Sequence, residues 1–206
     1  MVNERTAAPR AALLLVDYQV ALCEEGEHTR LPALAAQVRE RGVLAAAARV
    51  LDAARAAGVY VVHVRLAFDP TYEVRSNRTA RWDAYPAERA MLLDSPASQI
   101  VAPLAPLDTE PVVVKASVDP FVGTALHNML LGNGIRHLAV AGVATNLAVE
   151  SAVRHAGDSG FAVTVVEDAC ASFSPAAHEF SVGTILPMFS TLSSADDYVA
   201  SLGQGA

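Results

Sequence analysis

Cysteine, lysine and long apolar runs are all scarce in this chain of 206 residues. There are two cysteines, Cys23 and Cys170. They are too few for a disulfide framework and show no metal-ligand spacing, which excludes a fold stapled by either device. The start, MVNERTAAPR, is polar, and the AALLLV that follows is too short for a secretory core or a membrane span. A reducing cytoplasm is therefore the expected location. Lysine and arginine form no cluster, and the formal net charge is −7. That balance argues against nucleic acid or an anionic membrane as partner. It leaves room for a small anionic ligand held by one or two local cations. Internal repeats, low-complexity segments and linkers are also missing. With 52% hydrophobic and 18% charged residues, the chain reads as one globular domain over residues 1–206.

Short apolar runs alternate with longer Ala-rich stretches. AALLLVDYQ (11–19) reads as a buried strand ending on a polar tip, Asp17. Residues 41–58 read as an amphipathic helix closed by Gly58, and 59–68 as a second strand. Residues 69–110 lack periodicity and hold several prolines and arginines and the only Trp. They read as a long surface excursion, a segment fit to read a substrate or build an interface. Strands follow at 111–116, 136–143 and 161–170, with helices at 121–134 and 145–160, a stretch at 176–189 that starts as a helix, and a short strand and helix in the tail. Gly132 or Gly134 is expected to close the first of those helices and Thr145 to cap the second. This alternation predicts an α/β fold: a Rossmann-like three-layer α/β/α sandwich with a mainly parallel central sheet.

Ligands of such sheets bind at the carboxyl ends of the strands, near the switch in strand order. Those ends carry Asp17, Lys115 and the turn GVATNLAVE (142–150). An acid, a cation and an amide-rich turn are thus expected at one edge of the sheet, on three strands read as central. Each alone has a plain structural explanation; their joint occurrence points to a site.

Three stretches carry a resemblance over roughly residues 11 to 195: LLLVDYQ, VVVKASVDPFVGTALHNML and AVAGVATNLAVESAVRHAGDSGFAVTVVEDAC. Together they resemble the isochorismatase-like hydrolase family, also called the cysteine hydrolase superfamily. The resemblance implies Asp17 and Lys115 as catalytic residues and places the family's nucleophilic cysteine, where there is one, on Ala148. It implies a non-proline cis peptide between Val143 and Ala144, and an oxyanion hole formed by the amides of Ala144 and Ala148 in the thiol-dependent members. Thr145 and Asn146 of the elbow, with Arg81 and Trp82 of the excursion, are expected to contact substrate. Arg75 and Arg78 are further candidates for a carboxylate. A homo-oligomer, dimer or tetramer, is also implied.

Ala148 cannot attack a substrate. Cys23 lies beyond the Asp17 strand and Cys170 follows a different strand, and both read as small core or loop residues. One reading is a cysteine-free hydrolase, resembling the isochorismatases that cleave a vinyl ether. Asp17 then serves as general acid, provided its surroundings raise its pKa, and Lys115 as its electrostatic partner. The alternatives are an amidohydrolase whose nucleophilic cysteine is replaced at Ala148, and a catalytically dead binding homologue. Nicotinamidases of the superfamily bind a metal through an Asp and histidines after the second strand. Here that region reads HVRLAFDPTYEV, with His63 inside the strand and no Asp-x-His pair. Neither a catalytic metal nor another cofactor is expected, and the expected partner is a small-molecule substrate.

Overall fold

The structure is a computed structural model that describes residues 10–203; the polar start at residues 1–9 lies outside the described residues. Its elements are β1 (Arg10–Val16), α1 (Val20–Cys23), α2 (Pro32–Glu40), α3 (Val43–Ala56), β2 (Tyr60–Leu66), α4 (Ala80–Asp83) and α5 (Tyr85–Glu88). They continue with β3 (Val112–Lys115), α6 (Leu126–Gly132), β4 (Ile135–Val143), α7 (Glu150–Asp158), β5 (Ala162–Ala171), α8 (Pro175–Phe180), β6 (Thr191–Ser193) and α9 (Ala195–Leu202). All strand pairings are parallel, in the order β3-β2-β1-β4-β5-β6. The order reverses between β1 and β4, which places the crevice beside the ends of those two strands.

Strand periodicity builds the three layers. Along β1, Leu13 and Leu15 face one apolar layer, with Val43, Ala47, Val50 and Leu51 of α3 and Tyr198 of α9. Ala12, Leu14 and Val16 face the other, with Leu126 and Leu130 of α6 and Ala152, Val153 and Ala156 of α7. Both sets are buried, and each leucine contributes roughly 1.5–3 kcal/mol by leaving water. α3 is a helix because its apolar residues repeat on one face: Val43, Ala46, Ala47, Val50, Leu51 and Ala54 are all buried. Gly58 follows it at φ 67°, and Gly134 follows α6 at φ 70°, the left-handed closure that glycine supplies without a Cβ penalty.

The structure corrects several expectations. β3 is an edge strand, not a central one, because residues 111–116 pair only with β2. The helix expected over 121–134 forms only from Leu126; Ser117 and Thr124 bond backbone carbonyls nearby and hold residues 117–124 in turns. The stretch 176–189 does start as a helix, as expected: α8 leads into a π-type turn (Ser181–Ile185) and a 3₁₀ turn (Leu186–Met188). Residues 69–110 are not merely an excursion. Tyr72, Trp82, Tyr85, Ala90 and Met91 join Leu66 and Phe68 in a third apolar cluster.

His63 is a core residue. It is buried inside β2, and its Nε2 lies 3.0 Å from Glu110. Burial raises the Glu110 carboxyl, but the Arg55 guanidinium, the Leu107 amide and His63 overcome this and hold it at about 2. A carboxyl depressed on folding contributes stability above its unfolded pKa, and that stability is lost as pH falls toward the folded value. Glu110→Gln is therefore expected to lose roughly 2 kcal/mol of stability at pH 7 and far less near pH 2. Urea unfolding at the two pH values checks this; equal losses would show that the charge is not what stabilises.

Candidate active site

At the end of β1 the backbone turns sharply. Asp17 adopts φ 58°, a left-handed conformation that aspartate tolerates better than most side chains. Its amide donates to the Val64 carbonyl at 2.9 Å, and its carbonyl accepts from the Gln19 amide at 2.7 Å. Gln19 is fully buried and clamps this turn to the end of β2. Its Nε2 donates to the carbonyls of Leu66 and Ser98, each at 2.8 Å, and its Oε1 accepts from the Leu66 amide at 2.8 Å. The turn therefore presents the Asp17 carboxylate in one place.

Lys115, the only lysine in the chain, reaches that carboxylate from the edge strand. Two strand spacings, roughly 10 Å, separate β3 from β1, and only a long side chain spans them. Lys115 Nζ lies 2.7 Å from Asp17 Oδ2 and donates to the Val118 carbonyl at 2.6 Å. Both side chains are buried. Asp17 Oδ1 has no hydrogen-bond partner among the described residues. Desolvation pushes the Asp17 carboxyl above the usual carboxylate range, against the opposing pull of the Lys115 ammonium. A buried acid with one oxygen tied to a cation and the other free is placed to exchange a proton with a ligand.

The elbow after β4 supplies the next wall. The Val143–Ala144 peptide is cis, and Thr145–Val149 forms a π-type turn that leads into α7. Just before it, β4 runs very close to β1: a Cβ on Gly142 would lie 2.3 Å from the Val16 carbonyl oxygen. Glycine is what lets the elbow lie beside Asp17. Thr145 does not cap the helix, as the sequence led us to expect. Its hydroxyl is 2.8 Å from Nδ1 of the buried His178 instead. Asn146 Oδ1 accepts from the Ser172 hydroxyl.

Asp17, Lys115, Val143, Ala144 and Ala148 line one cavity of about 280 Å³ with Arg81 and Trp82. Thr145 and Asn146 are not among its lining residues; Leu147 is. Tyr85 and Phe173 add aromatic surface, and Ser117 and Asn77 add polar groups. Trp82 stacks on Tyr85 with centroids 5.2 Å apart, and the Arg81 guanidinium lies 5.9 Å from the centre of the Phe173 ring. Arg75 and Arg78 both pair with Asp83 and do not line the cavity. Tyr85, Phe173, Asn77 and Gln19 escaped the sequence reading. Only Gln19 carried a signal, as the polar residue two places after the strand-end acid. Cys23 and Cys170 are both buried, and desolvation pushes their thiols up, that of Cys170 to about 12. Neither lines the cavity. Among the described residues no three His, Cys, Asp or Glu side chains gather as a metal site. No helix there is long and apolar enough to cross a membrane.

The sequence signature of the isochorismatase domain matches residues 11–197. The chain belongs to the isochorismatase family. It is a hydrolase, in keeping with its curated relatives in that family. The ureidoacrylate amidohydrolase RutB of Variovorax paradoxus is 29% identical, aligned over 94% of this chain and 82% of its own length. That of Methylorubrum extorquens is 31% identical over 82% and 73%. Among solved structures, an isochorismatase family protein from Burkholderia thailandensis superposes with a TM-score of 0.79 at 28% identity, covering 96% of this chain and 98% of that one. One from Desulfovibrio vulgaris reaches 0.83 at 24% identity, over 95% and 99%, a likeness of fold alone.

Proposed function

We propose that this isochorismatase-family hydrolase cleaves a small carboxylate-bearing substrate of the vinyl-ether type, with Asp17 as the acid and no covalent enzyme intermediate. The observation that carries this reading is the pairing of a methyl group, Ala148, with a buried acid whose Oδ1 finds no hydrogen-bond partner among the described residues. Protonated Asp17 donates its proton to the enol-ether carbon, which generates an oxocarbenium ion. Water adds to that cation and returns a proton to the Asp17 carboxylate. The resulting hemiketal collapses to a ketone and an alcohol. Lys115 stabilises the carboxylate at the stage when it is charged. Arg81 binds the substrate carboxylate, and Trp82, Tyr85 and Phe173 cover its apolar body.

A second reading rests on the relatives named as ureidoacrylate amidohydrolases. On this chain, C–N cleavage would have to use water activated by Asp17, because no thiol faces the cavity. An assay of the chain beside Ala148→Cys separates the readings, with enolpyruvyl ethers such as isochorismate, ureidoacrylate and small amides as substrates. Pyruvate release by the unaltered chain is expected. Ammonia release confined to Ala148→Cys would overturn the vinyl-ether reading and show that the nucleophile is missing. Ligand binding without turnover in either form would indicate a binding homologue.

The ammonium also sets the pH dependence. An active acid form loses activity as pH rises through its pKa. Lys115→Met removes the group that lowers the Asp17 pKa, so the basic limb of the pH–rate profile is expected to move to higher pH. A limb that stays in place would assign the titration to another group.

A further inference from the structure

The elbow is held from behind by a polar network that the chemistry above does not use. Thr145 Oγ1 lies 2.8 Å from His178 Nδ1, and His178 Nε2 lies 2.8 Å from Arg41 Nη2. Arg41 Nε donates to the Cys170 carbonyl at 3.2 Å. The turn after β4, helix α8, the α2–α3 turn and the end of β5 are thereby joined. Thr145 is fully buried, and His178 is 3% exposed.

The chemistry of the donors determines the proton's place. Arginine only donates hydrogen bonds, so Nε2 must accept and carry no proton. A neutral ring then has its proton on Nδ1, directed at the Thr145 hydroxyl. The charged neighbours are consistent with a neutral ring. Arg41 opposes protonation, and Glu179, on the same helix, favours it. Glu167 of β5 lies 3.6 Å from Nε2 and 3.7 Å from Arg41 Nη2, beyond hydrogen-bond distance of both. Burial and Arg41 prevail and hold the imidazole at about 4.

We propose that His178 is a positioning residue for the site: as the neutral Nδ1–H tautomer, oriented by Arg41, it donates to Thr145 and fixes the turn that carries Ala144 and Ala148. The histidine does not line the cavity. Its effect passes through Thr145, which lies in the turn between Ala144 and Leu147, both of the cavity wall. The proposal requires only that the elbow walls the cavity, the premise of the functional reading, and is independent of which bond is cleaved.

The test uses the full chain and needs no substrate. Nitrogen-15 spectra of the histidine rings, with His178 assigned by the signals lost in His178→Asn, report the tautomer directly. The expected result is Nδ1 protonated and Nε2 bare at pH 7, with titration only near pH 4. An Nε2-protonated ring or an imidazolium at pH 7 would overturn the proposal.

Two isosteric variants separate the two hydrogen bonds. His178→Asn keeps a donor near the Nδ1 position, while His178→Gln keeps a polar group near Nε2 and loses the donor. The backbone amide signals of Ala144, Leu147 and Ala148 are expected to shift more in His178→Gln than in His178→Asn. Thr145→Val should reproduce the larger shift, and Thr145→Ser should largely restore the native signals. Equal shifts in the Asn and Gln variants would refute the positioning role. If the histidine variants fail to fold, the Thr145 pair still decides.

Discussion

Asp17→Asn is expected to lower kcat by roughly 10²–10⁴-fold while the chain remains folded. The amide is nearly the size of the carboxyl and keeps an oxygen that accepts from Lys115, 2.7 Å away. It has no acidic proton to donate and cannot serve as the base that receives one. The loss should therefore appear in kcat more than in KM, the signature of an interaction made in the transition state. Stability will fall as well, because the Lys115 ammonium is left with no countercharge in a buried place. Turnover must accordingly be measured well below the variant's own melting temperature, with circular dichroism confirming the fold. Unchanged turnover in a folded Asp17→Asn would remove Asp17 from the mechanism and the acid-catalysed reading with it. The same protein serves for ligand binding, since Arg81 and the aromatic wall are untouched.

The other large effect is expected from a residue with no chemistry. Gly142→Ala should destabilise the chain by about 3 kcal/mol or more, at or beyond the upper end of ordinary overpacking. The added methyl would lie 2.3 Å from the Val16 carbonyl oxygen and 2.8 Å from the Val16 Cβ. These atoms belong to the central strand, which is held by β2 on one side and β4 on the other, so neither can swing away. Gly142 also sits at φ 154°, a backbone conformation that alanine rarely adopts. The strands must part at the level of Asp17 and the elbow, so activity should fall together with stability. Gly183→Ala is the control: a Cβ there meets nothing within 4 Å, and a change within about 0.5 kcal/mol is expected. Chemical denaturation of the two variants beside the unaltered chain checks both. A Gly142→Ala chain as stable as the parent would show that β1 and β4 separate at little cost.

These two predictions draw on different parts of what the sequence makes legible. Asp17 stands out because an aspartate closing an apolar run in a parallel sheet has to lie at the ligand-binding edge. Lys115 and the elbow stand out for the same reason, and βα alternation brings all three to that edge whatever the strand order. Gly142 is different. Its need to be glycine depends on the close approach of a strand more than a hundred residues earlier in the chain, and no local pattern encodes such an approach.

Arginine roles were equally hidden. Arg75, Arg78 and Arg81 look interchangeable in the sequence, but Asp83 takes the first two, and only Arg81 lines the cavity. The choice depends on how the turns around α4 fold, and a few residues of short helix have no periodicity to announce it. Thr145 carries the standard signal of a helix cap. A buried histidine 33 residues away takes its hydroxyl instead. Local propensity lost there to a tertiary partner that fixes the turn more firmly.

From the sequence alone came the class of fold, the placement of Asp17, Lys115 and the elbow at one edge of the sheet, and the absence of a thiol at the elbow. Each follows from residue type and from the period of apolar residues, which are local properties of the chain. Tertiary structure alone decided that β3 lies at the sheet edge, that Lys115 spans β2 to reach Asp17, and that Tyr85 and Phe173 wall the cavity. It also decided that one oxygen of Asp17 finds no partner among the described residues and that His178 stands behind the elbow. These are relations between residues far apart in sequence. They are set by which surfaces exclude water together and which buried polar atoms then find partners, and such pairings exist only once the chain has closed on itself.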